Sequence, residues 1–197
     1  MATSASKSKD IVCQNQVENM LAQHVAFFDR NHDGIIYPWE TYQGFRAIGC
    51  SAFTSLAVGV GINVALSFIT RPGKFPSPLF PIVVQNIPKA KHGSDTGVYD
   101  AEGRFVQEKF DEIFSRHAHL NKNGLNILEV QLMLMANRKK DDLIGSIVAF
   151  AEWNFLYYLA NNKGLLEKNT IRGMYDGTLF QQMEADQKSA NKRKEDK

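Results

Sequence analysis

Cysteine is scarce in this chain, and the two that occur, Cys13 and Cys50, are too few for a disulfide framework. No CxxC pair or mixed cysteine and histidine spacing indicates a zinc site. The first ten residues, MATSASKSKD, also lack the apolar core and cleavage site of a secretory signal. These absences favour a protein that works in a reducing, cytosol-facing location.

Several catalytic signatures are missing as well. The chain has no GxSxG motif, no phosphate-binding glycine loop and no HExxH, so hydrolase, nucleotide-binding and zinc-protease activities have no support. Charge of one sign is not in excess, because 23 Lys and Arg face 21 Asp and Glu along most of the sequence. This balance argues against a nucleic-acid partner.

The composition that is present is that of a folded protein. At 197 residues and 44% hydrophobic positions, the chain can bury an ordinary core in one domain or two small ones. Its apolar periodicity is mainly helical, for example over Phe105–His117 and Leu143–Leu159. The stretch Lys188–Lys197, KSANKRKEDK, has no apolar partner, and we expect a solvated, frayed tail there.

Residues 29–40, DRNHDGIIYPWE, match the twelve-residue calcium loop of an EF-hand. A helical pattern from Ile11 to Phe28 predicts the entering helix, and Gly34 supplies the sharp turn at position 6. The predicted calcium ligands are Asp29, Asn31, Asp33, the backbone carbonyl of Ile35 and the closing carboxylate of Glu40. Calcium, a hard cation, prefers such oxygen ligands. A loop that does not hold its ion is the alternative.

A later loop has the outline of a second EF-hand. If Gly124 is the turn glycine at position 6, positions 1, 3, 5 and 12 fall on His119, Asn121, Asn123 and Val130. Carboxylate ligands and a closing glutamate are then lacking, so we interpret this loop as a degenerate, ion-free partner. The stretch Asn161–Gly164 is a weaker match still, and an ordinary helix-ending turn explains it equally well.

The stretch Ala47–Thr70 carries no formal charge, and as one helix it would extend about 36 Å, enough to cross a hydrocarbon core. Small or polar residues recur at every fourth position, at Ser51, Ser55, Gly59, Asn63 and Ser67. This stripe is typical of an interfacial helix or of close helix packing, and a buried core helix is the alternative. The following run, RPGKFPSPLFPIV, forces the chain to turn.

The histidines give weaker signals. His24 lies between Met20 and Phe28 on the apolar face of the entering helix, where a core histidine is the usual explanation. His92 lies in KHGSD, where a turn or an exposed site explains it equally well. His117 and His119 form an HxH pair, but no third histidine is near in sequence.

Four blocks of the sequence resemble the caleosin family, also called plant peroxygenases, and they occur in the family's order. They are HVAFFDRNHDGIIYPWETYQGFRAIG, PGKFPSPLFP, KAKHGSDTGVYDAEGRF and EWNFLYYLANNKGLLEKNTIRGMYDGTLF. The resemblance extends from about Gln16 to Met183. The proline run fits the family's proline-knot pattern, P-x3-P-S-P-x2-P, at Pro72, Pro76, Ser77, Pro78 and Pro81. The short amino-terminal arm resembles the family's shorter type.

The resemblance implies a haem b enzyme that uses fatty-acid hydroperoxides to epoxidise, hydroxylate or sulfoxidise unsaturated fatty acids and other acceptors. The family's two haem-associated histidines fall on His24 and His92, which we expect to be both haem-binding and catalytic. His24 would be an axial ligand, and His92 would move a proton or serve as a second ligand. Calcium at Asp29–Glu40 would fix the helix that carries His24.

The expected location is a lipid droplet or the endoplasmic-reticulum membrane, facing the cytosol, with a lipid monolayer or membrane as partner. Self-association into a homo-oligomer is compatible with the sequence. The alternatives are a non-enzymatic structural or tethering protein of the droplet surface, and a membrane-bound calcium sensor.

The expected fold is mainly α: an EF-hand helix-loop-helix with a degenerate EF-like partner, and a lipid-inserting helix followed by a proline knot. The predicted segments are a flexible arm over 1–15, the EF-hand over 16–46, the lipid-associating segment over 47–82, a soluble, mainly helical region over 83–183 and a charged tail over 184–197.

Overall fold

The computed structural model describes residues 19–73 and 75–195. The predicted arm, the start of the entering helix and Lys74 lie outside the described residues. The fold is mainly helical, as predicted, and it divides into two compact units. The first unit consists of Met1–Ala90 together with Gly173–Lys197, and the second of Lys91–Arg172.

The first unit is built from helices and one two-stranded antiparallel sheet. Its elements are α1 (Met20–Ala26), β1 (Ile35–Ile36), α2 (Pro38–Ala47), α3 (Ala52–Thr70), β2 (Ile82–Val83), a 3-10 helix (Val84–Ala90) and α8 (Thr178–Glu195). The pairing of β1 with β2 requires the chain to come back after α3. The proline run between the end of α3 and the start of β2 makes that turn, as predicted.

The second unit contains the other two-stranded sheet. Its elements are α4 (Gln107–His117), β3 (Gly124–Leu125), α5 (Ile127–Asn137), α6 (Leu143–Ala160) and β4 (Leu166–Glu167). Helix α7 (Lys168–Asp176) begins in the second unit and ends in the first.

Both units repeat one local arrangement, in which a helix and a loop lead to a short strand and then to a second helix. Each sheet contains a buried apolar pair, Ile36 with Ile82 and Leu125 with Leu166. The helix after each of these residues begins two positions later, at Pro38, Val84, Ile127 and Lys168. A matching backbone hydrogen bond closes each pair, from Val84 to Gly34 at 3.0 Å and from Lys168 to Asn123 at 2.7 Å. The chain therefore contains a structural repeat.

The predicted register of the second loop is wrong by one residue. Glu129 occupies the place of Glu40, because its Oε2 accepts from the N–H of Asn126 at 2.9 Å, as the Oε2 of Glu40 accepts from Tyr37 at 3.0 Å. This shared helix-start contact sets the register more firmly than the position of a glycine. Glu129, and not Val130, is therefore the closing residue.

In the corrected register the second loop has no ligand side chains at the first three ligand positions, which fall on Ala118, Leu120 and Lys122. The ammonium of Lys122 donates to the carbonyl of Ala118 at 2.9 Å, so a positive charge of the protein lies within the loop. The Lys122 ammonium favours the ion-free interpretation, although the loop retains a closing glutamate that the prediction lacked. The loop is not paired with the first one as predicted, because β3 pairs with β4 whereas β1 pairs with β2.

The uncharged stretch is not one continuous helix from Ala47 to Thr70. Helix α2 ends at Ala47, Gly49 adopts a φ of +96°, and α3 begins at Ala52. The Ser51 hydroxyl caps α3 by accepting from the N–H of Thr54 at 3.1 Å. The 19 residues of α3 extend about 28 Å.

Helix α3 turns its polar side inward, against α2. Its buried residues are Ser55, Gly59, Asn63, Ser67 and Thr70. Asn63 accepts from the Thr41 hydroxyl at 2.6 Å and donates to the carbonyls of Ile36 and Phe80 at 2.9 and 3.0 Å. The predicted stripe is thus a packing face, and the outward face is apolar, with Phe53, Leu56, Val60, Phe68 and Ile69 exposed.

The tail expected over Lys188–Lys197 is helical through Glu195 and not frayed, whereas its residues 188–194 are exposed, as expected of a solvated segment. Phe180 is buried, and the Glu184 carboxylate accepts from both terminal nitrogens of Arg30 at 3.1 and 3.3 Å. These contacts hold α8 against the loop that contains Arg30.

Candidate active site and calcium loop

The first loop folds around its own polar side chains. The Asp29 carboxylate accepts from the N–H groups of Asp33 and Gly34 at 3.1 and 2.9 Å, and that of Asp33 accepts from Ile35 at 2.8 Å. The Asn31 side-chain oxygen accepts from the N–H of Asp33 at 3.0 Å. Gly34 has a φ of +81°, which a residue with a side chain rarely adopts. The predicted ligands thus line one tight turn.

Glu40 joins the two ends of this loop. Its oxygens accept from the N–H of Arg30 at 3.2 Å and of Tyr37 at 3.0 Å, and the residue is buried. Among the described residues, no three His, Cys, Asp or Glu side chains are grouped as a metal site in this conformation. The donors are nevertheless hard oxygens in the order that a calcium loop needs, so the residue set fits Ca²⁺.

His24 is held by a carbonyl far away in sequence. Its Nδ1 donates to the backbone oxygen of Met174 at 2.6 Å. A carbonyl only accepts, so Nδ1 carries the hydrogen, and in the neutral ring the Nε2 lone pair is available to a ligand. Desolvation lowers the pKa of His24, although the bond to Met174 acts in the opposite direction. The imidazole is therefore kept neutral, with one nitrogen fixed.

Helix α8 and the turn before it pack against the part of α1 that carries His24. The ring of Phe180 lies 5.4 Å from the His24 ring, and it also contacts Phe28 at 5.2 Å. Gly177 has a φ of +80°, and a Cβ there would lie 2.7 Å from the carbonyl oxygen of Gln23. A glycine is thus required where this turn meets the backbone of α1.

His92 lies in the second unit, beside the carboxylate of Asp142. Its Nδ1 is buried without a hydrogen-bond partner among the described residues and lies 3.6 Å from the Asp142 Oδ2. That carboxylate accepts from the N–H groups of Ser94 at 2.7 Å and Gly145 at 2.9 Å. Desolvation opposes ionisation of Asp142, but these donors and the nearby His92 outweigh it and lower its pKa.

Glu152 is a titratable group that the sequence analysis missed. It is the one acidic residue in α6, and that isolation in an apolar helix was the available signal. Its side chain is accessible to water, yet desolvation by the surrounding fold and the charge of Asp95 raise its pKa to about 7. A carboxyl of this kind exchanges protons near neutral pH.

The HxH pair gains no support as a metal site. Desolvation and the charge of Arg116 lower the pKa of His117, and the His119 N–H is bonded to Glu129 at 2.7 Å. The part of the chain that the structure describes offers no third ligand beside them.

Residues 16–184 match the family model of the caleosin-related proteins. The chain belongs to the caleosin family. This caleosin is 50% identical over 195 residues to "Probable peroxygenase 4" of Arabidopsis thaliana, covering 98% of this chain and 99% of the relative. It is 49% identical over 175 residues to "Peroxygenase" of Lilium longiflorum, covering 88% of this chain and 73% of the relative.

A third relative of this caleosin has a different name. The chain is 42% identical over 151 residues to "Probable inactive peroxygenase-like protein" of Arabidopsis thaliana, covering 77% of this chain and 73% of the relative. No solved structure matches.

These similarities confirm the resemblance and the enzyme prediction: this caleosin is a peroxygenase. Its family acts on hydroperoxides and lipids and is associated with membranes or lipid bodies. The high identity to peroxygenases favours an enzyme over a purely structural tether.

Proposed function

We propose that this caleosin is a calcium-binding haem peroxygenase that transfers oxygen from fatty-acid hydroperoxides to unsaturated lipids. Epoxidation, hydroxylation and sulfoxidation are the expected reactions, at the cytosolic face of a lipid droplet or of the endoplasmic-reticulum membrane. The observation that carries the proposal is the bond between the Nδ1 of His24 and the carbonyl of Met174.

His24 fits the role of the axial ligand. Histidines that bind metal ions usually donate their other ring N–H to a carbonyl or carboxylate, which fixes the tautomer and the ring orientation. The Met174 carbonyl provides that contact, and desolvation keeps the ring neutral by lowering its pKa. When bound, haem b supplies the oxygen-transfer chemistry.

His92 is the candidate proton carrier of the reaction. Its Nδ1 lies 3.6 Å from the Asp142 Oδ2, a carboxylate fixed by Ser94 and Gly145. Imidazole is a common proton-transfer group in enzymes, and the His92 ring lies beside this fixed carboxylate, so His92 is suited to accept a proton and return it. Asp142 is then a positioning residue. A second haem ligand at His92 is the alternative.

The Asp29–Glu40 loop is the proposed calcium site, and its strand β1 pairs with β2. The second unit has the same arrangement without ligands. To bind calcium, Glu40 would turn its carboxylate from the N–H groups of Arg30 and Tyr37 toward the ion. Phe28, which precedes the loop, contacts Phe180, and Phe180 contacts His24. This contact path supports a calcium-sensitive His24.

The exposed face of α3 is the proposed lipid anchor. Phe53 is 82% exposed and Phe68 is 56% exposed, although both are large apolar side chains. The most apolar stretch of 18 residues in α3 is only 22% buried, whereas the core helix of a soluble protein is mostly buried. Length and composition alone would also allow α3 to cross a membrane.

The test is the visible absorption spectrum of detergent-purified protein. We expect a haem band in the wild type and in His119→Ala, an exposed histidine of the second unit, and loss of the band in His24→Ala. A calcium-loaded, folded wild type without haem would contradict the proposal and leave the tethering role. Turnover and haem binding unchanged by calcium removal would contradict the calcium coupling.

A further inference from the structure

The second unit also exposes a large apolar surface, on the outer sides of α5 and α6. We call it the α5–α6 face, and its members are Leu128, Leu132, Met135, Leu143, Ile144, Ile147, Phe150 and Tyr158. The most exposed are Ile144 at 78%, Met135 at 73% and Tyr158 at 71%. Soluble monomers rarely leave so many neighbouring apolar side chains in water.

The α5–α6 face is continuous because the two helices lie side by side. The Gln131 Nε2 of α5 donates to the Asn154 Oδ1 of α6 at 2.9 Å. Leu128 and Met135 lie within about one turn on either side of Gln131, and Phe150 lies one turn from Asn154. The opposite sides of the two helices hold the buried residues Val130, Met133, Ala149, Trp153 and Leu156.

Positive charges border this face. The turn between α5 and α6 contains Arg138, Lys139 and Lys140, all exposed, and Lys163 is exposed just beyond the other end of α6. Among the acidic neighbours in that turn, Asp142 is bonded to Ser94 and Gly145, whereas Asp141 is exposed. Long cationic side chains beside an apolar face are typical of segments that lie on anionic lipid.

Helix α6 also resembles α3 in burial. The most apolar stretch of α6 is 22% buried, as is that of α3. The two helices belong to different units. Helix α6 therefore meets the same conditions for lipid contact as α3, independently of it.

We infer that the α5–α6 face is a second lipid-contact surface, which lies on a phospholipid layer while Lys139 and Lys140 contact its anionic headgroups. The inference rests on the proposed lipid location but not on haem or calcium. It gives the second unit its own contact with the surface from which a peroxygenase takes its lipids.

The test is flotation of the full-length protein with phosphatidylcholine vesicles, with and without phosphatidylserine. Ile144→Asp and Met135→Asp should each weaken partition about tenfold, because each moves an apolar side chain out of lipid. Ser115→Asp, which adds the same charge to an exposed position of α4, should leave partition unchanged. Lys139→Gln combined with Lys140→Gln should abolish most of the preference for phosphatidylserine.

A fluorescent probe gives an independent measurement if an aspartate variant does not fold. Ile144→Cys is labelled with an environment-sensitive dye in a Cys13→Ser background, in which Cys50 is buried. We expect a blue shift on vesicles, and none from Ser115→Cys. An equal response from both positions would overturn the inference.

Other outcomes separate this inference from the proposed anchor. Partition weakened by Phe53→Asp but unchanged by Ile144→Asp and Met135→Asp would overturn the α5–α6 contact alone. If Phe53→Asp also had no effect, the proposed lipid anchor would fail as well. A dimer that Ile144→Asp dissociates without changing partition would make the face a contact between copies of the chain, which contradicts the inference.

Discussion

The Nδ1 of His24 lies 2.6 Å from the carbonyl oxygen of Met174, a residue 150 positions later in the chain. This contact joins α1 to α7, and the turn that follows Met174 presses Gly177 against the backbone of Gln23 and His24. The ring that we propose as haem ligand is thus oriented by main-chain atoms. A substitution at Gly177 can test whether this contact between the turn and α1 matters.

Gly177→Ala should destabilise the fold by about 2 kcal/mol or more, because alanine is strained at positive φ and its Cβ would clash with Gln23. Gly73→Ala is the matched control, since Gly73 has a φ of +72° and nothing within 4 Å of a Cβ. The measurement is chemical unfolding of both variants, together with the haem spectrum. Equal losses of stability would show that the contact with α1 is unimportant.

His24 should make the fold less stable in acid. Its folded-state pKa lies below the ordinary 6.5, so the unfolded chain binds a proton that the folded chain resists. The stability is fully present above pH 6.5 and is lost as the pH falls through the folded-state pKa. Thermal unfolding of wild type and His24→Gln between pH 5 and 8 tests this, because the variant should lose less stability in acid. Parallel pH curves would contradict it.

Glu152 should act in the opposite direction. Its pKa is about 7 in the folded state against 4.5 ordinarily, so its favourable contribution is present at low pH and is lost as the pH rises toward and beyond 7. Glu152→Gln should therefore be more stable than wild type at pH 8, by about 1 kcal/mol because water screens an accessible carboxyl, and equal to it at pH 4. Glu102→Gln, an exposed carboxyl of the same unit, is the control.

Local sequence signals predicted several features of this fold. The calcium-loop pattern located the turn at Gly34, the apolar run beginning at Leu143 located α6, and the prolines located the return of the chain to β1. Each depends on residues that are neighbours in sequence. The stripe of small and polar residues on α3 was also predicted. Only the structure shows that this stripe packs against α2.

Features that depend on distant residues were not predictable in this way. No local pattern connects His24 with Met174, because a backbone carbonyl accepts from any donor whatever its own side chain. Gly124 predicts a register for the second loop that is wrong by one residue, because the contact of Glu129 with Asn126 sets the register and depends on the fold. The break before α3 was missed because Gly49 and Ser51 lie inside an uncharged run.

Glu40 and Glu129 offer a matched test of the calcium site. Both are buried, and each caps a helix through its Oε2 and accepts a loop N–H at its Oε1. Replacement by glutamine should destabilise either unit by about 1–3 kcal/mol, because a buried cap is weakened. Only the Glu40 loop has carboxylate or amide side chains at ligand positions 1, 3 and 5, which are Ala118, Leu120 and Lys122 in the Glu129 loop. Calcium should therefore raise the unfolding temperature of wild type and of Glu129→Gln but not of Glu40→Gln.

Isothermal titration with calcium completes this comparison. One binding event is expected for wild type and Glu129→Gln, and about a hundredfold weaker binding for Glu40→Gln, because a neutral amide replaces the charged bidentate ligand. Two events in wild type would mean that the second loop also binds calcium despite the Lys122 ammonium beside the Ala118 carbonyl. The two variants lose the same kind of helix cap, so they should differ only through calcium coordination. Equal calcium binding by both would mean that Glu40 is not a ligand and that the ion binds elsewhere.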